Sequence, residues 1–165
     1  MIRVGTAGWN YKDWEGIVYP KPRPRGFDDL AYLARYFDAI EINSSYYGAP
    51  RPTAAKKWVE SVAQNRAFQF TAKLFHSFTH ERKPAPNEKE FKEGIAPIAE
   101  AGRLGALLLQ FPWSFRQTPE NREYLIDLHR RFREYPLVIE VRHASWAQPG
   151  ILELLAELDI GPVQH

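Results

Sequence analysis

The chain has 165 residues, 44% hydrophobic and 25% charged, which is enough for one packed domain and is too apolar for a disordered segment. A net charge of +2, from 22 basic and 20 acidic residues, excludes a general attraction to phosphate polymers, while leaving room for a local basic patch. The absence of cysteine excludes a disulfide scaffold, a thiol nucleophile and Cys-based metal sites.

In chain order, short apolar or alternating runs predict strands at residues 2–6, 39–43, 68–73, 106–110, 137–141 and, weakly, 161–164. Amphipathic stretches between them predict helices at 28–37, 53–63, 88–101, 119–132 and 149–158. Asp28 and Asp29 can cap the first helix, and Pro119 and Pro149 stand where a helix begins without needing an N–H. The proline-rich stretch from Tyr19 to Gly26 cannot be regular structure and reads as a long loop over the mouth of the fold. No run approaches the roughly 20 apolar residues of a membrane span, and the N-terminus enters strand-like sequence without a signal pattern. The expectation is a cytoplasmic protein with no membrane partner.

Strand and helix alternating in this way predict successive βαβ units in a parallel sheet, either an open doubly wound sheet or a (β/α) barrel. The strands favour the barrel. In 39–43, Glu41 and Asn43 alternate with Ile40 and Ile42; Gln69, Thr71 and Lys73 alternate with Phe68, Phe70 and Ala72; Glu140 and Arg142 alternate with Ile139 and Val141. A sheet covered by helices on both faces would be apolar throughout, whereas a barrel carries polar groups inward near its C-terminal mouth. Gly5-Thr6-Ala7-Gly8 is too short a match for a dinucleotide-binding turn. The fold class expected is therefore α/β, a TIM-type barrel, incomplete, with about six of eight βα units in one domain spanning residues 1–165.

Several motifs carry a resemblance. Gly5-Thr6-Ala7-Gly8-Trp9-Asn10-Tyr11-Lys12-Asp13-Trp14 with Tyr19-Pro20, Ile40-Glu41-Ile42-Asn43-Ser44-Ser45-Tyr46-Tyr47, and Phe70-Thr71-Ala72-Lys73 with Thr79-His80 follow one another in order. Leu109-Gln110-Phe111-Pro112-Trp113-Ser114-Phe115 and Ile139-Glu140-Val141-Arg142-His143-Ala144-Ser145-Trp146 complete the series. Together these resemble the YecE-like family, a domain of unknown function. The resemblance implies a longer barrel closed by eight strands, similar in fold to sugar-isomerase and apurinic-endonuclease-like barrels, and brings no established reaction. The family's later Arg-x-His-Gly-like and Asn-Asn-like motifs have no counterpart here, so the expectation is the N-terminal two-thirds of such a barrel. Its open edges would then invite self-association or belong to a longer polypeptide.

The motifs sit where strands pass into βα loops, the place where barrel sites gather. Glu41, Glu140 and Lys73 are the catalytic candidates, because carboxylates facing a lysine in a water-poor cavity suit acid–base work. An ion-pair layer plugging the barrel is the competing reading. Asn43, Arg142, His143, Gln110, Trp9, Tyr46, Tyr47 and Trp146 are the ligand-binding candidates, Arg142 for oxyanions and the aromatics for stacking. Tyr11, Trp14, Phe111 and Trp113 join the aromatics expected over the mouth, where they either stack on a ligand or seal the barrel. His76 and His80 would act as paired metal ligands only on a helix, and the segment does not read as one; no metal or other cofactor is expected. Lys21, Arg23, Arg25, His80, Arg82 and Lys83 would supply a basic rim or a solvated surface.

The functional expectation is a barrel binding an anionic or hydroxylated ligand, a sugar or nucleotide derivative, with hydrolase or isomerase chemistry. The alternatives are a nucleic-acid-binding module without catalysis and an inactive fragment.

Overall fold

The computed structural model describes residues 2–82 and 87–163. Six strands form one sheet: β1 (Gly5–Ala7), β2 (Ala39–Ile42), β3 (Gln69–Lys73), β4 (Leu104–Gln110), β5 (Leu137–Glu140) and β6 (Ile160–Pro162). Their spatial order is the chain order, and every neighbouring pair is parallel. Each crossover thus moves one strand in the same direction. A doubly wound sheet would reverse direction at a switch point; a (β/α) barrel does not. The crossovers are α1 (Asp29–Leu33), α2 (Pro52–Ser61), α3 (Glu88–Glu100), α4 (Pro119–Phe132) and α5 (Ile151–Glu157). The fold is α/β and the barrel is open: among the described residues β1 and β6 each pair along one edge only.

The core lies between the sheet and its helices. Ile40, Ile42, Phe70, Ala72, Leu107, Leu109 and Ile139 are all buried and alternate with residues on the other face. They meet Leu30 and Leu33 of α1, Phe91, Ile95 and Ile98 of α3, and Leu125, Leu128 and Phe132 of α4. The register aligns the opposite face, with Ala7 beside Glu41, Glu41 beside Thr71, Lys73 beside Leu108 and Gln110 beside Glu140. This concave face is the barrel interior.

Local signals account for most boundaries. Asp28 accepts from Leu30 N at 2.9 Å and Ala31 N at 3.1 Å, capping α1 as its carboxylate predicts. Thr118 caps α4 by accepting from Asn121 N, with Pro119 in the first turn. The differences have tertiary causes. The first helix ends at Leu33, short of the expected residue 37, because Asn65 Nδ2 donates to the carbonyls of Ala34 (3.0 Å) and Phe37 (3.2 Å). Strand β1 begins at Gly5 instead of residue 2, since its partner begins at Ala39 and Ile2 and Val4 lie exposed before it. Gly5 lets the two backbones approach: a Cβ there would stand 1.9 Å from Ala39 O. The last helix starts at Ile151 behind a left-handed Gly150 (φ 85°), so Pro149 precedes it and does not open it. In the sixth strand and the basic rim, Gln164 and Lys83 lie outside the described residues.

The stretch Phe70–Thr79 is expected to be non-helical, but past His76 the chain winds into a π-helical turn at Ser77–Glu81 that ends on a left-handed Arg82 (φ 51°). Packing drives it: Phe78 and Thr79 are fully buried, and the Tyr124 hydroxyl donates to Phe78 O at 2.6 Å. The loop after Tyr19 is irregular, as its prolines require, and is tied to α1. The Tyr19 ring is buried against Phe27 and Tyr32, and Arg23 crosses it to bind Asp29 at 2.8 Å.

Candidate functional site

The C-terminal ends of β2 to β5 bring the polar candidates onto the concave face. On β2 and β3, Lys73 Nζ lies 3.4 Å from Glu41 Oε1, with both side chains about four-fifths buried (20% and 24% exposed). A hollow of about 280 Å³ is lined by Glu41 together with Gly5, Thr6, Ala7, Ala39, Ile40 and Thr71, mostly small side chains where a barrel interior is ordinarily filled by bulky ones. On β4 and β5, Gln110 Nε2 donates to Glu140 Oε2 at 2.6 Å, and Arg142 Nε donates to Glu140 Oε1 at 2.9 Å. Glu140 is 5% exposed, as a carboxylate can be when both oxygens are bonded. Arg142, two residues past β5, is half exposed. The barrel face thus holds one pair and one network: Glu41 with Lys73, and Glu140 with Gln110 and Arg142.

Asn43 is not the end of β2, which stops at Ile42; it opens the 3₁₀ turn Asn43–Tyr46 and is half-buried. The turn is held down by Ser45, whose buried hydroxyl lies 2.7 Å from Ile42 O and 2.8 Å from Lys73 O and so serves the ends of β2 and β3 together. This puts Tyr46 over the mouth, with the His76 and His80 rings edge-on to it at 5.6 Å and 5.3 Å and Tyr47 at 5.0 Å. Burial, and then Tyr47, pushes the Tyr46 hydroxyl up from its ordinary pKa, while the Arg142 guanidinium pulls it partly back. Burial lowers His80, helped by the positive fields of His76 and Arg142. His80 therefore belongs to the mouth. From the sequence His80 is a metal ligand, a solvent-exposed or loop-fixing histidine, or a rim charge, since the turn that carries it follows no helical period. Among the described residues no three His, Asp or Glu side chains gather closely enough to hold a metal ion.

His143 caps the 3₁₀ turn Ala144–Trp146, its Nδ1 accepting from Ser145 N at 3.1 Å, and its ring meets the exposed Trp113 at 4.7 Å. The other aromatics fall elsewhere. Trp146 is 4% exposed, stacks on Phe115 at 5.2 Å and donates its indole N–H to Phe115 O at 2.8 Å. Phe111 extends that stack on the far side of Phe115 at 3.8 Å. Trp9 packs edge-on against Trp58 of α2 at 5.3 Å, and Tyr11 and Trp14 pair beside the Tyr19 loop. Of the basic rim residues, Arg23 is bound to Asp29 and Glu15, and Arg82 donates to Asn121 at 2.6 Å. No helix among the described residues is long and apolar enough to cross a membrane.

The same architecture occurs in solved structures. A DUF72 family protein from Enterococcus faecalis V583 superposes with a TM-score of 0.79 at 28% identity, over 98% of this chain and 60% of that one. One from Thermotoga maritima MSB8 superposes with a TM-score of 0.75 at 32% identity, over 98% and 64%. Among curated sequences, the UPF0759 protein YunF of Bacillus subtilis is 29% identical over 160 residues, covering 93% of this chain and 55% of the relative. The UPF0759 protein YecE of Escherichia coli K12 is 27% identical over 155 residues, covering 91% and 52%. The chain thus spans a little over half the length of the curated relatives it matches. The family model described as "Protein of unknown function DUF72" matches residues 3–164, and with the barrel order of the strands and the motifs at their ends it assigns the chain to the DUF72 family of YecE-like proteins.

Proposed function

We propose that the concave mouth binds a polyhydroxylated small molecule, a sugar or nucleotide derivative, and that Glu41 and Lys73 transfer protons in its hydrolysis or isomerisation. The observation that carries this reading is the Lys73–Glu41 pair, 3.4 Å apart and mostly buried, whose Glu41 member lines an open hollow. A carboxylate offers acceptors only and an ammonium donors only, so the pair matches two neighbouring hydroxyls of a polyol. It also places a proton acceptor and a proton donor on one ligand, the arrangement that acid–base chemistry needs. Matching of charge supports a largely uncharged body for the ligand at this point, since Lys73 already has its carboxylate. Tyr46 and the exposed Trp113 beside His143 offer aromatic surfaces for the apolar face of a sugar ring.

Saturation-transfer NMR with ribose, glucose, xylose and adenosine tests the reading. At least one should give saturable signals, and Glu41→Gln and Lys73→Met should each weaken it about tenfold, the loss of a charge-assisted hydrogen bond. A panel that gives no saturable signal, or a bound polyol indifferent to both substitutions, would refute it.

A further inference from the structure

We infer that Arg142, Tyr46 and His80 form a phosphate subsite at the rim, so that the ligand held over Glu41 and Lys73 is a phosphorylated polyol. The inference rests on the polyol reading and adds the anionic group to it. Three side chains reach the mouth from separate elements: Tyr46 and His80, whose rings lie 5.3 Å apart, and Arg142 just past the end of β5, whose charge acts on both. Arg142 is oriented by the bond from Nε to Glu140, whose other oxygen is taken by Gln110. Among the described residues this is the hydrogen bond Arg142 makes, so its two terminal nitrogens remain as a parallel pair of donors on a half-exposed side chain. That geometry fits two oxygens of one phosphate better than an ammonium would. Glu140 lies behind the guanidinium and is 5% exposed, so the face turned to the mouth is cationic.

Tyr46 comes from the turn after β2, and its hydroxyl makes no hydrogen bond among the described residues; its ring is clamped edge-on by His76 and His80. His80 comes from the π-helical turn after β3. Its Nδ1 lies 2.9 Å from the hydroxyl of the fully buried Thr79, and when that hydroxyl donates to Nδ1 the proton stands on Nε2, which is then a donor. The nearby carboxylate of Glu81 is turned to His76 at 3.9 Å. The electrostatics agree with the geometry: the field of Arg142 reaches both Tyr46 and His80, lowering each. A dianion between them would cancel that field and raise His80 again.

The experiment is a titration of the chain with inorganic phosphate, followed by ³¹P line broadening and by the His80 ring-proton shift against pH. Saturable binding in the millimolar range is expected, with the His80 pKa rising when phosphate is bound. Arg142→Gln should weaken binding at least about tenfold, and Tyr46→Phe and His80→Gln severalfold each. Phosphate that does not saturate, or saturates with the same affinity in all three variants, overturns the subsite. If Arg142→Gln fails to fold by circular dichroism, the other two variants and the His80 shift decide. Polyols that bind while phosphate does not would overturn this inference alone; Arg142-dependent phosphate binding without any polyol binding would overturn the polyol reading and leave the subsite standing.

Discussion

Removing Arg142 should destabilise the fold through Glu140, and the size of the effect can be worked from the two exposures. Breaking a fully buried ion pair by deleting one partner costs about 3–5 kcal/mol, because the remaining charge is stranded in a poor solvent. An exposed pair is worth about 0–1 kcal/mol. This pair straddles the limits: the Glu140 side chain is 6% exposed and that of Arg142 53%. Water can reach the outer oxygen once the guanidinium is gone, and Gln110 still donates to the other at 2.6 Å. The expected loss for Arg142→Met is about 1–2 kcal/mol, between those limits. In Glu140→Met/Arg142→Met no carboxylate is left stranded, so the double variant should lose less than the two single losses added, with a coupling of about 1 kcal/mol. Urea denaturation followed by far-ultraviolet circular dichroism, with the four proteins at one pH and ionic strength, measures all the terms. An Arg142→Met loss below about 0.5 kcal/mol, or strict additivity in the cycle, would show that the carboxylate does not depend on its cation.

Trp146→Ala should lose about 3–5 kcal/mol, because it empties one end of the Phe111–Phe115–Trp146 stack, whereas Trp146→Phe keeps the stack and should lose about 1 kcal/mol for the indole hydrogen bond; thermal unfolding that ranks the two equally would refute the assignment. Gly94→Ala should destabilise the protein even though alanine favours a helix by about 1 kcal/mol, since the new Cβ would stand 2.3 Å from Pro50 O; a rise in melting temperature would contradict the close approach of α3 to the chain before α2. Tyr19, whose pKa is pushed up to about 12 chiefly by burial, should be among the last tyrosines to ionise. Because the folded value lies above the unfolded one near 10, its contribution is complete below pH 10 and disappears as the pH rises towards about 12; a spectrophotometric titration unchanged in Tyr19→Phe above pH 11 would exclude this. The 165-residue chain should self-associate, since β1 and β6 pair along one edge only among the described residues, and light scattering that finds a 19.1 kDa monomer at every concentration would exclude it.

What sequence reading recovered, and what it missed, divides along a physical line. A strand has a side-chain period of two, so once residues 39–43, 68–73 and 137–141 were read as strands, Glu41, Lys73 and Glu140 had to share the face opposite Ile42, Ala72 and Ile139. Capping chemistry is equally local, which is why Asp28 caps α1 and Pro119 opens α4 as their residue types predict. Nothing local decides the rest. Asn43 follows the same alternation as Glu41, but Ser45 turns the chain away by binding carbonyls on two strands, one of them 28 residues later. Trp146 and Trp113 both follow barrel strands and differ in fate only because Phe115 supplies a stacking surface and a carbonyl to one and not to the other.

The mouth shows the same division at the level of function. Its ion pairs come from alternation and were visible as candidates, whereas the rim is made by two turns whose shapes are set by distant packing. His80 reaches Tyr46 because Tyr124 of α4 holds the π-helical turn at Phe78, a link across 46 residues that no spacing rule contains. If the mouth binds the ligand proposed above, a rim built this way changes its preference by altering turns while the strands, and the Glu41–Lys73 pair they carry, stay in place. Variation in the residues around Ser77–Glu81 and Asn43–Tyr46 should therefore redirect specificity more readily than variation in β2 or β3, whose every second residue is committed to the core.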